Sequence, residues 1–216
     1  MRRFLIPSAA ALFVAICATS LAQCNKAPAT ASAAPDYELI GTVHDIMEGI
    51  VDPASDVLFD AVATDITAAG VHEKRPQTDE EWTKVESNAL MLAEAGNLLK
   101  MPGRKAASPG DQTKSEGPDA PELTPEEIQA KIDGDRGKWL KYATTLQEQA
   151  RKTYDAAKRK DADAVFALGE DIDMACEECH LEYWYPNDKV ARASHEQAKA
   201  DREKERQQKA AAQEKK

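Results

Sequence analysis

Two cysteines and one histidine stand close together near the C-terminal end of the chain, in the run Cys176-Glu177-Glu178-Cys179-His180. The spacing C-x-x-C-H is the attachment signature of c-type haem. In that chemistry two thiols add to the two vinyl groups of the porphyrin, and the histidine that follows offers a ring nitrogen to the iron. The motif therefore predicts one covalent haem, with Cys176 and Cys179 as the attachment residues and His180 as the proximal iron ligand.

Three other chemistries also use closely spaced cysteines, and each lacks a feature that it needs. A thioredoxin-like redox pair requires a βαβ context, which this sequence does not indicate, and the two intervening glutamates would raise the thiol pKa rather than lower it. A structural zinc site takes four ligands, but His72 and His195 are isolated and no second cysteine pair exists. A disulfide between Cys176 and Cys179 would close a tight, strained loop. The redox dithiol and the metal site remain as alternatives to haem.

The N-terminus has the pattern of an export signal. Arg2 and Arg3 precede an apolar stretch, residues 9–18, that is too short to span a bilayer comfortably. The run Leu21-Ala22-Gln23-Cys24 then resembles the lipobox of bacterial lipoproteins, in which the cysteine is acylated, although Gln23 stands where Gly, Ala or Ser is usual. The alternative is ordinary signal cleavage after Ala22. Both interpretations predict export.

These features predict how the first part of the chain is organised. Residues 1–23 are expected to be a signal peptide, and residues 24–36, rich in Ala, Pro, Thr and Ser, a tether that Cys24 anchors to the membrane. If Cys17 is removed with the signal and Cys24 is acylated, the two motif cysteines have no long-range disulfide partner left. The expected location is the bacterial periplasm, as a lipoprotein.

The composition limits both fold and partners. The chain has 216 residues, of which 42% are apolar, 31% charged and only 6% aromatic, with a formal net charge of −10. These values exclude a collagen-like or fully disordered chain, and the scarcity of β-branched and aromatic residues disfavours an all-β fold. The negative charge argues against nonspecific binding to nucleic acid, which depends on basic patches. The prediction is an all-α protein.

Apolar residues at steps of three and four predict four amphipathic helices, over residues 37–70, 78–100, 138–160 and 162–183. Asp52-Pro53 predicts a kink or brief break in the first helix, and Thr78 with Glu81 forms a capping box before the second. Residues 103–137 predict a long polar loop in which Thr124 could start a short helix. Residues 186–216 predict a charged, solvated tail that buries no face.

Four such helices with C-x-x-C-H near the end of the last one resemble the class II cytochromes c, the cytochrome c-prime family of four-helix bundles. The resemblance covers residues 37–185 and includes Tyr183, an aromatic residue three positions after His180. It implies an antiparallel four-helix bundle around the haem. In that family the sixth iron position faces the first helix, where a methionine gives a six-coordinate electron carrier. An apolar residue there leaves a five-coordinate iron that binds small gases.

The resemblance implies Met47 as the distal iron ligand. The fragment Val43-His44-Asp45-Ile46-Met47 is similar to the family's ligand-bearing turn, and His44, one helical turn away, is the second candidate. The alternative is that Met47 is a flexible core residue without a metal contact. The competing residues, Met91, Met101 and Met174, lie on helices that the family does not use for this ligand, or too close to Cys176 to reach across the ring.

With Met47 on the iron, the expected function is single-electron transport rather than enzymatic catalysis. The acidic body would attract a redox partner with a basic face. Two alternatives stay open: a five-coordinate binder of nitric oxide or carbon monoxide, and a haem-free periplasmic helical interaction protein. Several members of the family are homodimers, so the resemblance also allows a homodimer here.

Overall fold

In a computed structural model of the chain, the structure describes residues 36–68, 70–113 and 120–213. The predicted signal peptide (1–23) and the predicted lipidation site Cys24 lie outside the described residues. So does the predicted tether, residues 24–36, except for its last residue.

The chain separates into two units, residues 1–37 and 38–216, and every element described below belongs to the second. That unit is mostly helical, which confirms the all-α expectation at the level of fold class. No helix within the described ranges is both long and apolar enough to cross a lipid bilayer.

The first helical run, residues 43–61, changes its helical geometry twice. It consists of α1 (Val43–Ile46), a π-helical turn (Met47–Val51) and α2 (Asp52–Ala61). Thr42 and Asp45 form a capping box in which the Asp45 backbone N–H donates to the Thr42 hydroxyl over 3.1 Å. The sequence predicted a kink or break at Asp52-Pro53, but the chain stays helical there. Pro53 has no N–H for an α-helical bond, and the wider π turn before it accommodates the proline.

A β-hairpin follows the first helical run where the sequence predicted helix up to Gly70, so that boundary was wrong. Strands β1 (Ala63–Thr67) and β2 (Gly70–Lys74) pair antiparallel, with Ala63 opposite Lys74. The β-branched residues Thr64, Ile66 and Thr67 favour an extended backbone over a helix. Gly70 has a φ of +131°, a conformation that residues with a side chain rarely adopt.

Five further helices complete the described chain: α3 (Asp79–Lys100), α4 (Pro125–Gly134), α5 (Arg136–Lys158), α6 (Ala162–Tyr183) and α7 (Lys189–Gln213). The Thr78–Glu81 capping box is present as predicted, and the short helix expected after Thr124 is α4. The predicted 103–137 loop therefore contains a helix and ends earlier than expected. The predicted fourth helix coincides with α6.

The core lies where α3 packs along α5, α5 against α6, and α2 against both α3 and α6. Gly96 permits a close approach of α3 to α5, because a Cβ at that position would lie only 2.7 Å from the Cβ of Gln147. Near the C-terminal end of α3, the Trp139 indole N–H donates to the Leu99 carbonyl over 2.8 Å. The largest fully buried side chains are Leu92, Ile132, Ile172, Val165 and Thr153.

The C-terminal segment does bury part of a face, contrary to the expectation for residues 186–216. In α7, His195 is only 8% exposed, and Lys199 and Arg202 form ion pairs with α6. Arg192, His195, Lys199 and Arg202 recur every three or four residues, so they share one side of the helix. The overall composition of the segment does not reveal this spacing. The spacing places Lys199 and Arg202 next to acidic residues on α6.

Candidate functional site

The C-x-x-C-H motif lies in the last turns of α6, on a regular helix. Asp161 caps the start of that helix by accepting a hydrogen bond of 3.0 Å from the Ala164 N–H. Because residues three and four positions apart share one side of an α-helix, Cys179 and His180 both lie on the side that carries Cys176. The helix therefore presents two thiols and one imidazole to the same region of the interior.

The surroundings of the two thiols favour their protonated form. Within the described residues neither Cys176 nor Cys179 forms a disulfide, and both are half-buried. Burial raises the pKa of each thiol to about 12, and the nearby Asp173 contributes to the shift at Cys176. A redox dithiol needs the opposite shift, toward a stable thiolate. The environment suits thiols that stay neutral until they are consumed in a bond.

His180 is held as a neutral imidazole. Burial lowers its pKa, while the carboxylates of Glu177 and Asp52 act in the opposite direction with smaller effect. The ring of Trp184 meets the imidazole edge-on, with centroids 5.2 Å apart, and the Trp184 indole N–H is anchored on the Thr113 carbonyl. A neutral imidazole with a fixed ring is the form in which histidine binds metals.

Two cavities of about 340 and 400 Å³ lie between the end of α6 and the first helical run. Both are lined by Met47, Asp52, Trp139, Cys179 and His180. The structure thus brings the predicted distal ligand, one attachment cysteine and the predicted proximal ligand together, and Cys176 lines the first cavity. Their sizes fall in the range of sites for small molecules and cofactors.

Met47 stands at the first position of the π-helical turn, and it is the one methionine of the described chain that lines either cavity. Met91 is 43% exposed on α3, and the sulfur of Met101 lies 3.3 Å from a guanidinium nitrogen of Arg104. Met174 lines a different cavity, between α6 and α7. Single π turns occur often at functional sites, where they redirect a side chain.

His44 is less suited to the distal position, because each of its ring nitrogens lies near a carboxylate. Its Nε2 lies 3.3 Å from the Glu48 carboxylate, and its Nδ1 lies 3.7 Å from that of Asp111. The side chain lines only the second cavity. The geometry therefore favours Met47 over His44 as the candidate for the distal ligand.

The walls carry negative charge that sequence reasoning did not anticipate. Carboxylates line the cavities without any lysine or arginine among the described lining residues; they are Glu48, Asp52, Asp56, Glu122, Asp173 and Glu177. Burial raises the pKa of Asp52, the carboxyl common to both cavities. Asp52 follows Met47 by five residues on the first helical run, but in the sequence it resembled a helix cap before Pro53. Negative charge on the cavity walls favours the more positive, oxidised state of a bound metal centre.

Several observations test whether a porphyrin fits these residues. The hydroxyls of Ser55 and Tyr183 are buried without a hydrogen-bond partner in the described chain, and each lines one of the two cavities. A ligand with polar groups would satisfy them. The described residues contain no group of three or more His, Cys, Asp or Glu side chains arranged to hold a bare metal ion. Two thiols, an imidazole, a thioether and aromatic walls suit a metal carried in an organic ring.

Comparisons with known proteins yielded no match among protein-family models, curated proteins or solved structures. The functional interpretation therefore depends on the chemistry of the site itself. That chemistry consists of the motif on α6, the methionine on the first helical run, and the cavities that both of them line.

Proposed function

We propose that the protein is an exported c-type cytochrome that carries single electrons through one covalently attached haem. The haem would lie in a four-helix bundle formed by the first helical run, α3, α5 and α6. One observation carries the proposal. Met47 comes from an element far in sequence from α6, which carries Cys179 and His180, yet all three residues line the same two cavities.

Each residue of the site has a role in this proposal. Cys176 and Cys179 would hold the haem as thioethers: each thiol would add across a vinyl double bond, breaking S–H and the π bond and forming S–C and C–H. Neither addition needs an oxidant. The bound haem supplies an iron that takes up and releases one electron.

The remaining side chains set the environment of that iron. His180 would hold the iron through its neutral nitrogen and Met47 through its thioether, and with both bound the iron would be closed to outside ligands. Trp139 and Leu146, both buried, exclude water from the cavity walls. Under this arrangement the chain moves electrons and catalyses no reaction of its own.

The charge of the molecule supports a proposal about its partner. The formal charge is −10, and the described residues lining the cavities include carboxylates but no lysine or arginine. A redox partner with a basic face would be attracted to this side of the protein, and the attraction would weaken as salt screens it. The association rate with a basic redox protein should fall steeply between low and high ionic strength.

We also propose a periplasmic location, with Cys24 as the lipid attachment site. The wild-type protein should then partition with membranes, whereas Cys24→Ser should release it or leave it as an uncleaved precursor. A mature N-terminus at Gln23 without lipid would instead indicate a soluble periplasmic carrier.

An optical spectrum of the purified protein tests the proposed function. We expect a c-type haem spectrum in the oxidised and reduced states that carbon monoxide does not change. Immediate binding of carbon monoxide by the wild type would favour the five-coordinate gas binder and leave Met47 as a core residue. A spectrum without a Soret band would favour a haem-free helical interaction protein.

A further inference from the structure

The backbone turns sharply after α6 and brings Tyr185 back over His180. The His180 carbonyl accepts hydrogen bonds from the Trp184 N–H over 2.8 Å and from the Tyr185 N–H over 2.9 Å. The Tyr185 hydroxyl then lies 2.6 Å from the Glu177 carboxylate and 3.4 Å from Nδ1 of His180. One phenol thus connects a carboxylate to the ring nitrogen of the predicted iron ligand.

The donors and acceptors of these three side chains determine where the protons lie. A phenol has one O–H, and a carboxylate at 2.6 Å is the stronger acceptor for it. The tyrosine oxygen can then only accept from His180, which places the imidazole proton on Nδ1. Nε2 is left with a free lone pair.

We infer that Tyr185, held in place by Glu177, is a positioning residue that fixes the tautomer of His180 and increases the electron donation of its Nε2 to iron. The inference rests on the proposed function. A histidine ligand that donates its second N–H toward a carboxylate becomes a stronger base and a better metal ligand. Stronger donation favours the oxidised metal, so the pair Glu177–Tyr185 lowers the reduction potential of the site.

The two glutamates within the motif offer a matched control. Glu177 contacts Tyr185, whereas its neighbour Glu178 faces α7, where it pairs with Lys199 and lies 3.7 Å from Nε2 of His195. Glu177→Gln and Glu178→Gln each remove one carboxylate charge next to the attachment cysteines. Only Glu177→Gln also weakens the contact with His180 through Tyr185.

The test measures the reduction potential of haem-loaded protein for Tyr185→Phe, Glu177→Gln, Glu178→Gln and the double variant Tyr185→Phe/Glu177→Gln. Tyr185→Phe changes no charge. We expect it to raise the ratio of reduced to oxidised protein at a fixed applied potential by about tenfold, which is a rise of about 59 mV in the reduction potential for one electron. Glu177→Gln should shift the ratio more than Glu178→Gln does. With Tyr185 already replaced, Glu177→Gln should shift the ratio less than it does in the wild type, because only the loss of a charge on the cavity wall remains.

A vibrational measurement separates ligand tuning from a merely structural role. In a Met47→Ala background, the iron–histidine stretching band of the reduced protein should move to lower frequency when Tyr185 becomes Phe and stay in place for Glu178→Gln. An unchanged potential and band in haem-loaded Tyr185→Phe would overturn this inference alone, as would equal shifts for the two glutamate variants. A wild type without covalent haem would overturn the proposed function and this inference with it.

Discussion

The two walls of the site differ in how they are built. The α6 wall is one regular helix of 22 residues that carries both cysteines and the histidine within its last turns. The facing wall, residues 43–61, contributes Met47 from a run that passes from α to π and back to α. A regular helix fixes side-chain positions through local spacing alone, whereas the irregular run depends on what other segments do to it.

The segment after α3 holds the irregular wall in place. Arg104 is almost fully buried, and its Nε donates to the Leu98 carbonyl over 2.9 Å while Nη1 donates to the Gly41 carbonyl. The backbone N–H of Val43 donates to the Lys105 carbonyl over 2.8 Å. The position of Met47 therefore depends on residues about sixty positions further along the chain, whereas the backbone position of His180 is set by the helix that carries the motif.

The largest expected effect falls on the α6 wall. Replacing Cys176 and Cys179 together by Ala should remove all covalently bound haem, because no other thiol lines the cavities in the described chain. The measurement is the Soret absorbance that remains with the protein after acid–acetone extraction. We also expect poorer folding, because the cavities would lose their occupant.

The single variants Cys176→Ala and Cys179→Ala serve as controls, since each keeps one thioether. They should retain haem after extraction in reduced yield. Full haem retention by the double variant would show that the α6 wall does not hold the cofactor through these thiols.

The next largest effect falls on the irregular wall. Met47→Ala should abolish the weak long-wavelength absorption band of methionine-ligated oxidised haem, lower the reduction potential and open the iron to carbon monoxide, because the thioether stabilises ferrous iron and blocks the sixth position. His44→Ala, on the same run, should keep the band. Covalent haem should be present in both variants. A wild type that lacks the band and binds carbon monoxide at once would contradict the assignment.

A smaller effect tests the dependence of the irregular wall on Arg104. Arg104→Met leaves two carbonyls without their guanidinium donor, which should lower the free energy of unfolding by about 1–3 kcal/mol. Loosening of the first helical run should also permit slow carbon monoxide binding. Unfolding in urea and stopped-flow mixing with carbon monoxide provide the two readouts.

Arg136→Met is the matched control, because Arg136 donates over 2.6 Å to the carbonyl of Lys100, which ends α3 and lies outside the first helical run. It should lower stability without admitting carbon monoxide. Equal gas access in the two arginine variants would mean that Arg104 stabilises the fold generally and does not specifically hold the Met47 wall.

The smallest effect concerns the outer side of α6, which α7 covers. Arg202 pairs with Asp171 and donates to the Glu170 carbonyl over 3.3 Å, whereas Arg206 pairs with Glu203 inside α7 over 2.9 Å. Exposed pairs contribute about 0.2–1 kcal/mol. Arg202→Ala should cost more stability in urea than Arg206→Ala at low salt, and the difference should disappear at high salt. Equal losses at low salt would mean that α7 is not held on α6 by this pair.

Local signals made much of the fold predictable. Capping residues at Thr78 and Thr124 predicted where α3 and α4 begin, and apolar periodicity predicted the bounds of α6, because these features act within a few residues. The hairpin after residue 61 was missed, because its apolar residues also fit a helical period. Only the Thr-rich, β-branched composition and Gly70 distinguish it.

The residues of the candidate site also divide into those that local sequence signals predict and those that they do not. Cys176, Cys179 and His180 could be predicted from spacing, since one helix holds all three. The convergence of Met47 on them and the burial of Asp52 depend on contacts between elements, which spacing along the chain does not specify. The return of Tyr185 over His180 depends on the turn that ends α6. His195 was missed because its burial comes from the docking of α7 on α6.

The intact mass of the mature protein, produced together with a working c-type cytochrome maturation system, tests the central claim most directly. The account predicts the polypeptide plus one haem, with no free thiol at Cys176 or Cys179. A protein of unmodified mass at these positions, with both thiols free to react, would contradict it.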